Sequence, residues 1–378
     1  MKNKKTYQYP WRSNNTFNVL VDGSDYFSSM LNEINQAKHT ILLEAYLFES
    51  GKIATSFINA LCAAINRKIT VNVLLDEYGT KGLSSLDKNK LISSGVELQL
   101  YNPISFFHFG RSLKRDHRKL LIIDDKTAFI GGAGFTDEFS PDERKDYWHD
   151  VMISIEGAIV ADLTDSFNEQ WQNKKTKIYS AAATSTPQDD SARVLISSGP
   201  EKNEIIRAII KHIRNSENHV WLTSPYFISS WKIRRALRFA AKKGVDVRLI
   251  FPGPHSDHKW VTYGIQRYYQ RLLKANVAVY EYQPRFTHAK IILCDNWFTV
   301  GSSNMDRWNQ LLNLDANIEV YNNNAHKQII QLFESDFSKS NLVTLNEWSS
   351  RSFMQHFREG VSGVIIKWLA LISKIFKR

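Results

Sequence analysis

Two short motifs of the same pattern carry the residue types that phosphoryl transfer needs. His117-Arg-Lys-Leu-Leu-Ile-Ile-Asp124 and His288-Ala-Lys-Ile-Ile-Leu-Cys-Asp295 both fit H-x-K-x-x-x-x-D. Positions two apart on a strand face the same side, so each histidine projects together with Lys119 or Lys290. One imidazole can attack phosphorus while the other protonates the leaving alkoxide, and the lysines neutralise the phosphoryl oxygens. The motifs therefore predict a single site for phosphodiester transfer.

Small residues follow each motif and predict a phosphate-binding turn. Gly131-Gly-Ala-Gly134 begins 14 residues after the first histidine, and Gly301-Ser-Ser-Asn304 begins 13 residues after the second. Small side chains let backbone N–H groups approach a phosphate, and serine or asparagine adds donors without bulk. The expected phosphate contacts are Gly132, Ser302, Ser303 and Asn304.

Aspartates complete the candidate site. Asp150 follows the first histidine by 33 residues and Asp315 follows the second by 27. A buried carboxylate that accepts the Nδ1 proton of a histidine fixes its tautomer and stabilises the imidazolium. Asp124 and Asp295 belong to the motifs themselves, and because they close their strands we interpret them as structural more than directly catalytic.

The elements around the motifs also occur twice, at an offset of about 170 to 180 residues, which indicates domain duplication. Residues 40–48 and 219–227 predict buried strands. Helical patterns that lead into strands follow at 60–75 and 236–251, and a third such pair, at 91–101 and 273–282, completes the series. The predicted fold class is α/β, with helices on both faces of a mixed sheet in each half.

We expect a first half at residues 1–178, a small and polar linker at 179–193, a second half at 194–345 and a C-terminal segment at 346–378. Residues 361–378 show an amphipathic helical pattern with lysines and an arginine opposite the apolar face. Its aromatic and basic residues favour the membrane interface over docking on the protein's own core.

Composition narrows the classes of protein and partner. The 378 residues are 43% apolar, as in a globular protein, and a net charge of +11 predicts attraction to nucleic acid or to an anionic membrane. Two cysteines support neither a disulfide framework nor a thiolate zinc site, and we predict no metal or other cofactor. No stretch reaches the roughly 18 apolar residues that span a bilayer, and the N-terminus suggests no signal peptide or anchor.

The duplicated motif resembles the phospholipase D superfamily from about residue 15 to about residue 350. Finer features are similar to bacterial cardiolipin synthases of the B type, and these are Arg115–Lys119, Ile130–Gly132, Trp148–Asp150, Ile155–Gly157, Ser198–Pro200 and Pro225–Phe227. The resemblance implies two pseudo-two-fold-related α/β/α sandwich halves that bring both motifs to their interface, without a metal.

The resemblance also implies an activity. A phosphatidyl group would pass between two phosphatidylglycerol molecules through a phosphohistidine, with release of glycerol. His117 would be the nucleophile and His288 the acid and base, although the reverse assignment fits the same sequence. The implied partner is anionic phospholipid at the cytoplasmic face of the bacterial inner membrane, to which the protein would bind peripherally.

Other functions stay open at this point. Hydrolysis of phospholipid needs the same residues as transfer, and so does a nuclease, although the amphipathic tail and the aromatic residues 106–109 favour lipid over nucleic acid. Two complete His-Lys pairs argue against a non-catalytic scaffold. The sequence leaves the oligomeric state and the exact donor and acceptor lipids undetermined.

Three departures from the family pattern bear on the site. Gly134 stands where asparagine is usual, so one phosphate donor is absent unless Thr136 or a backbone amide replaces it. Asp315 stands where glutamate is common, a conservative change. His149 stands where arginine is common, and we expect it to alter head-group contacts.

Overall fold

The computed structural model describes residues 7–103, 113–173, 187–199, 202–306 and 311–352, together with 354, 358 and 360–362. The predicted aromatic loop at 106–109 and nearly all of the amphipathic segment at 361–378 lie outside the described residues.

Strands and helices alternate through both halves. The strands are β1 (Asn15–Val21), β2 (Thr40–Ala45), β3 (Thr70–Asp76), β4 (Glu97–Tyr101), β5 (Arg115–Asp116), β6 (Leu120–Ile123), β7 (Thr127–Gly131), β8 (Val151–Gly157), β9 (Ser191–Ser198), β10 (His219–Thr223), β11 (Asp246–Pro252), β12 (Ala278–Tyr282), β13 (Ile291–Cys294), β14 (Trp297–Gly301), β15 (Asn313–Tyr321) and β16 (Ser340–Val343). The helices are α1 (Asp22–Gln36), α2 (Lys52–Asn66), α3 (Ser85–Ser94), α4 (Ile159–Trp171), α5 (Glu204–Asn215), α6 (Trp231–Lys242), α7 (Lys259–Gln266), α8 (Tyr269–Leu273), α9 (Asn323–Ser338) and α10 (Leu345–Ser349). Within the described ranges, no helix has the length and apolar character to cross a bilayer.

Two mixed sheets repeat one topology. Their strand orders are β1-β8-β7-β6-β2-β3-β4 and β16-β12-β11-β10-β13-β14-β15-β5, with β9 beside β15. In each half three parallel strands are followed by antiparallel strands in the same order. This confirms the predicted α/β class with two sandwich halves. Strand β9 begins inside the predicted linker, because Ser191–Arg193 pair with Glu319–Tyr321.

The two sheets face each other across a shared core. In β6, Leu120 and Ile122 point into this core, whereas Leu121 and Ile123 point into a separate core beneath the outer helices. Strand β13 divides its side chains in the same way. Such two-sided burial explains the continuous apolar run after each His-x-Lys, since a strand covered on both faces has no solvent side. Helices α4 and α9 also pack into the shared core.

The halves are joined at backbone level beside the motifs. Strand β5, from the first half, pairs in parallel with β15 of the second sheet. An isolated parallel bridge between His149 and Thr287 forms the corresponding link from the second half to the first. The two sheets thus meet along two short pairings that stand immediately before the two motif histidines.

Asp124 and Asp295 hold the ends of equivalent strands. The Asp124 carboxylate accepts backbone N–H groups of residues 38, 39 and 40 at 2.7 to 2.9 Å. Asp295 accepts those of residues 217, 218 and 219 at 2.9 to 3.0 Å. Partial burial raises the pKa of each carboxyl, but these donors outweigh it and hold the pKa below its ordinary value. Both lie seven residues, about 20 Å of extended strand, from their histidines.

The substitution Asp295→Ala should lower the free energy of unfolding by about 2 kcal/mol, because three backbone donors lose a charged acceptor. Urea unfolding followed by circular dichroism measures this change. Asp142→Ala is a matched control on an exposed site and should change the free energy by less than about 0.5 kcal/mol. Equal effects of the two substitutions would contradict this structural role.

Candidate active site

The backbone fixes both histidines at the junction of the halves. The N–H of His117 donates to the carbonyl of Leu314 at 2.9 Å, and the N–H of His288 donates to the carbonyl of His149 at 2.7 Å. These two bonds are equivalent under the duplication, because each runs from a motif histidine to the residue before a site aspartate. Both histidine side chains are buried, with only about a tenth of their surface exposed.

Each histidine is paired with the aspartate of the other half. His117 Nδ1 lies 2.9 Å from Asp315 Oδ1, and His288 Nδ1 lies 2.6 Å from Asp150 Oδ2. A carboxylate only accepts hydrogen bonds, so each ring donates from Nδ1 and keeps the lone pair of Nε2 for the site. Sequence spacing predicted the four residues but gave no partner, and the structure shows that the pairs are crossed.

The motif lysines lie beside their own histidines. Lys119 Nζ donates to the carbonyl of His117 at 2.6 Å. Lys290 Nζ donates to the carbonyl of His288 at 2.5 Å and lies 3.2 Å from Nε2 of the same ring. Each ammonium group therefore lies beside its own histidine, where it can neutralise a phosphoryl group, and Lys290 Nζ is 2.9 Å from Nδ1 as well as 3.2 Å from Nε2.

Burial keeps both imidazoles neutral. It is the largest cause that lowers the pKa of His117 to about 4 and that of His288 to about 3. The adjacent lysine is the next cause in each case, and the lysine of the opposite half also contributes, which brings all four side chains within electrostatic reach of one another. The crossed aspartates oppose these shifts without cancelling them. At neutral pH each ring therefore presents an unprotonated Nε2.

The lysines are shifted toward neutrality as well. Burial lowers the pKa of Lys119 to about 7, with the charge of Lys290 as the second cause. Burial also lowers the pKa of Lys290 to about 8, although Asp150 and Asp315 counteract it. For Asp150, burial alone would raise the pKa, but Lys290 and His288 outweigh it and lower the pKa below the ordinary value.

Aromatic side chains that the sequence did not single out for the site surround the histidines. The Tyr46 ring lies 5.0 Å from that of His117, between ring centroids. Around His288, the rings of Phe139 and Trp148 lie at 5.4 Å and that of Tyr226 at 6.4 Å. Trp148 thus forms a wall of the site while it also packs against the core of the first half. The tyrosines follow the equivalent strands β2 and β10, a repeat signal that could have indicated them.

Tyr226 also leads to an acidic residue outside both motifs. Its hydroxyl donates a short hydrogen bond to Asp257, a residue of the loop after β11. The negative charge of Asp257 raises the pKa of Lys290, against the larger effect of burial, so this loop stands close to the site. His255 and His258 lie in the same loop, and no metal-binding group of three His, Cys, Asp or Glu side chains is found among the described residues.

The small-residue turns fit the aspartates closely. A Cβ on Gly132 would lie 2.6 Å from both carboxylate oxygens of Asp150, so only glycine leaves room for that side chain. At the equivalent position the Ser302 hydroxyl donates to Asp315 Oδ1 at 2.8 Å and accepts the N–H of Ala316. Gly132 and Ser302 thus act on the aspartates, and their phosphate contacts stay a prediction.

Ser303 and Asn304 keep their predicted phosphate contact as a prediction. Both are buried, and the Ser303 N–H is already bonded to Asn317 Oδ1 at 3.1 Å. The Asn304 side-chain carbonyl oxygen lacks a hydrogen-bond partner within the described part of the chain. A buried polar atom left open in this way costs free energy unless a ligand or water engages the amide.

The profile of the family described as "Cardiolipin synthase, PLD-like domain" matches residues 30–171 and 209–337, and each segment contains one motif. The chain belongs to this family. The match divides at the same place as the duplication. The unmatched residues between the two segments, 172–208, include β9 and the beginning of α5.

Characterised relatives agree with this assignment. The cardiolipin synthase of Clostridium perfringens strain 13 is 30% identical over 365 residues, which cover 93% of this chain and 76% of that protein. The major cardiolipin synthase ClsA of Bacillus subtilis strain 168 is 29% identical over 361 residues, which cover 93% and 75%. Together with the family match they show that this chain is an enzyme of the phosphatidyltransferase class.

Solved structures of low sequence identity share the fold. The phosphatidylserine synthase of Haemophilus influenzae Rd KW20 superposes with a TM-score of 0.75 over 97% of this chain and 96% of that one, at 14% identity. The polyphosphate kinase of Porphyromonas gingivalis gives 0.63 over 95% and 53%, at 13% identity. The likeness supports the two-half architecture.

The structure explains why Gly134 departs from the family pattern. A Cβ at this position would lie 2.8 Å from the Cβ of Leu47, so asparagine would require the strand end to move. Thr136, the suggested substitute, is buried, and its hydroxyl has no hydrogen-bond partner among the described residues. Its role as a replacement phosphate donor stays a prediction.

His149 does not take the head-group role that we expected. It is buried between the halves, with Nδ1 2.8 Å from Asp22 and Nε2 3.1 Å from Asp336. Burial lowers its pKa, but the two carboxylates outweigh burial and raise the pKa to about 10. Both ring nitrogens are occupied, so His149 acts as a positively charged clamp, and Arg285 joins the same carboxylate group through Asp22.

The second-order rate constant for release of p-nitrophenol from bis(p-nitrophenyl) phosphate should report these pKa values of the free enzyme. With bis(p-nitrophenyl) phosphate the leaving group needs no proton, so only the nucleophile and the lysines should titrate. We expect the burst of p-nitrophenol to disappear as the pH falls through about 4, where the nucleophilic histidine gains a proton. We also expect it to decline above about pH 7 to 8, where the lysines lose their charge.

Rapid quench followed by alkaline development of colour measures this profile, and circular dichroism at each pH controls for unfolding. An acidic limb at pH 6.5, the ordinary pKa of histidine, would show that the imidazoles are not desolvated in solution.

Proposed function

We propose that this enzyme transfers a phosphatidyl group from one phosphatidylglycerol to a hydroxyl of a second, forming cardiolipin and releasing glycerol. The observation that carries the proposal is the crossed pair of imidazoles, each with Nδ1 bonded to a carboxylate of the opposite half and with its motif lysine bonded to its own backbone carbonyl. The similarity to cardiolipin synthases supplies the lipid class.

In the first step His117 Nε2 attacks phosphorus of the donor lipid, and the bond from phosphorus to the head-group oxygen breaks. The phosphatidyl group remains on His117 as a phosphohistidine, and the imidazolium charge is stabilised by Asp315. His288, protonated for this step, gives its proton to the leaving oxygen, so free glycerol departs.

In the second step His288 is neutral and accepts the proton of a hydroxyl on the incoming phosphatidylglycerol. The oxygen of that hydroxyl attacks phosphorus, the phosphorus–nitrogen bond breaks, and His117 returns to its neutral form. His288 then carries one proton again, so atoms and charge balance over the cycle.

The charge of the empty site explains where this proton originates. Two lysines and two aspartates balance each other when both histidines are neutral and both lysines are protonated, which holds below about pH 7. A phosphodiester brings one negative charge into the same buried volume, which favours the protonated form of an adjacent imidazole. Binding of the donor lipid therefore brings one proton to His288, and the low pKa of the empty site does not prevent acid catalysis.

The aromatic wall favours a lipid alcohol over water as the acceptor. Phe139, Trp148 and Phe286 surround the acid and base with apolar surface. An apolar wall binds the glycerol carbon skeleton and lowers the local concentration of water, so transfer competes with hydrolysis. We further propose that the protein acts peripherally at the cytoplasmic face of the membrane, consistent with its net charge of +11.

The reaction products test the proposal directly. Purified enzyme with phosphatidylglycerol vesicles should yield cardiolipin and glycerol in equal amounts, measured by mass spectrometry and an enzymatic glycerol assay. His117→Ala and His288→Ala should each reduce turnover by at least about a thousandfold, since general acid–base or nucleophilic chemistry is lost. Phosphatidic acid instead of cardiolipin would mean hydrolysis, and cleavage of single-stranded DNA without lipid turnover would mean a nuclease.

A lipid with a p-nitrophenol leaving group assigns the nucleophile. Because this leaving group needs no acid, His288→Ala and Asp150→Asn should still release one equivalent of p-nitrophenol per enzyme and then stop. His117→Ala and Asp315→Asn should release none. Peptide mapping of the acid-sensitive phosphoramidate should locate the phosphatidyl group on His117. The opposite pattern would reverse the two roles while leaving the shared site intact.

A further inference from the structure

The solvent-exposed face of helix α6 is basic and aromatic, and it takes no part in the active site. Its inner stripe, Ile233, Ala236, Leu237, Ala240 and Ala241, is buried in the core of the second half. Its outer face combines cations with two aromatic residues, Trp231 and Phe239, whose exposed fractions are 57% and 52%. Large exposed aromatic side chains next to lysine and arginine are typical of helices that lie at the interface of a bilayer.

The duplication supplies an internal comparison. Helix α2 occupies the equivalent place in the first half, since it joins β2 to β3 as α6 joins β10 to β11. Helix α2 contains a single basic residue, Lys52, which pairs with Glu143. Helix α6 contains five basic residues and no acidic one. Because the same fold forms around either sequence, the cations of α6 serve a purpose other than folding.

A groove beside α6 concentrates this charge. It has a volume of about 390 Å³ and is lined by Arg235, Arg238, Phe239 and Lys242 from α6 and by Arg271 and Lys274 from the end of α8. None of the ion pairs formed between described residues involves these five cations. A cavity of this size holds a small ligand, and five cations that lack an acidic partner among the described residues favour an anion.

We propose that this basic groove, with Trp231 and Phe239 beside it, docks the enzyme on an anionic bilayer by binding lipid head-group phosphates. The choice of a bilayer as the occupant rests on the proposed function. The Arg235 guanidinium lies 5.0 Å from the centre of the Trp231 ring, and Lys243 Nζ lies 4.7 Å from that of Phe239. Cations held against the rings reach the phosphate level while the rings enter the interface.

The position of α6 couples docking to the active site. The helix begins five residues after Tyr226, whose ring faces His288, and it is about 18 Å long. A bilayer that contacts the Trp231 end is therefore next to the loop that forms one wall of the site.

The test measures vesicle binding separately from chemistry. The full chain is sedimented with vesicles of phosphatidylcholine alone or of phosphatidylcholine mixed with phosphatidylglycerol. The triple variant Arg235→Glu, Arg238→Glu, Lys242→Glu should bind the anionic vesicles at least about tenfold more weakly, because each basic residue near the surface contributes to the attraction. Trp231→Ala combined with Phe239→Ala should weaken binding even at high salt, where electrostatic attraction is screened.

The matched control reverses three exposed lysines elsewhere, Lys38→Glu, Lys126→Glu and Lys327→Glu, with the same change in net charge. It should lose less than about threefold. Equal losses in the two triple variants would overturn the proposal, because binding would then follow net charge. Loss of single-stranded DNA binding without loss of vesicle binding would also overturn it.

A soluble substrate separates this inference from the proposed function. All variants should keep the wild-type burst with bis(p-nitrophenyl) phosphate, which confirms an intact site. If no cardiolipin forms with the wild-type enzyme but α6 still determines vesicle binding, the docking surface stands and the proposed reaction fails.

Discussion

The crossed hydrogen bonds between His117 and Asp315 and between His288 and Asp150 are the constraint on which the remainder of the structure depends. Neither half contains a complete histidine–aspartate pair, so neither half alone can orient an imidazole. The short pairings of β5 with β15 and of His149 with Thr287 place the backbones so that each aspartate reaches across. The shared core between the sheets then fixes the distance between the two rings.

Burial of this many ionisable groups is costly, and the arrangement shows how the cost is limited. Asp315 and Asp150 each bond a histidine, Lys290 lies 3.9 Å from Asp150, Lys119 donates to the carbonyl of His117, and the histidines stay neutral. Unlike the site histidines, His149 is a charged imidazolium. It lies between the halves, where carboxylates from both halves bind it. Its stabilising effect is complete below pH 6.5, the ordinary pKa of histidine, and is lost as the pH rises through about 10. Between these two values the stabilisation falls steadily with rising pH, so the clamp contributes less at the alkaline end of the range in which the site functions.

The fold and the motif residues could be predicted because the duplication is detectable as a repeat in the amino-acid sequence itself. Two copies of His-x-Lys with apolar runs define two strands, and the small residues after them define two turns. The crossed pairing was not predictable, since Asp150 and Asp315 each follow one motif and nothing in the spacing shows which ring they reach. The role of His149 was misjudged for a related reason. A histidine suits a head group, and only the three-dimensional structure shows that Asp22 and Asp336 already occupy both of its ring nitrogens. The phosphate contact of Ser302 stays a prediction, although its hydroxyl also bonds Asp315.

In a duplicated fold the solvent-facing surfaces of the two halves can differ in sequence, and in this chain they differ in charge. Around the shared core both halves must keep the same strands, because a change in one would misplace an aspartate that the other half needs. The solvent-facing residues of the outer helices are not constrained in this way, because only the inner face of each helix packs against a sheet. Helix α2 is accordingly almost uncharged and α6 is strongly basic, although both bury apolar residues in the same way. The duplicated strands place the two histidines in equivalent positions at the centre. The difference in charge between α2 and α6 means that only the second half offers a basic surface to an anionic partner.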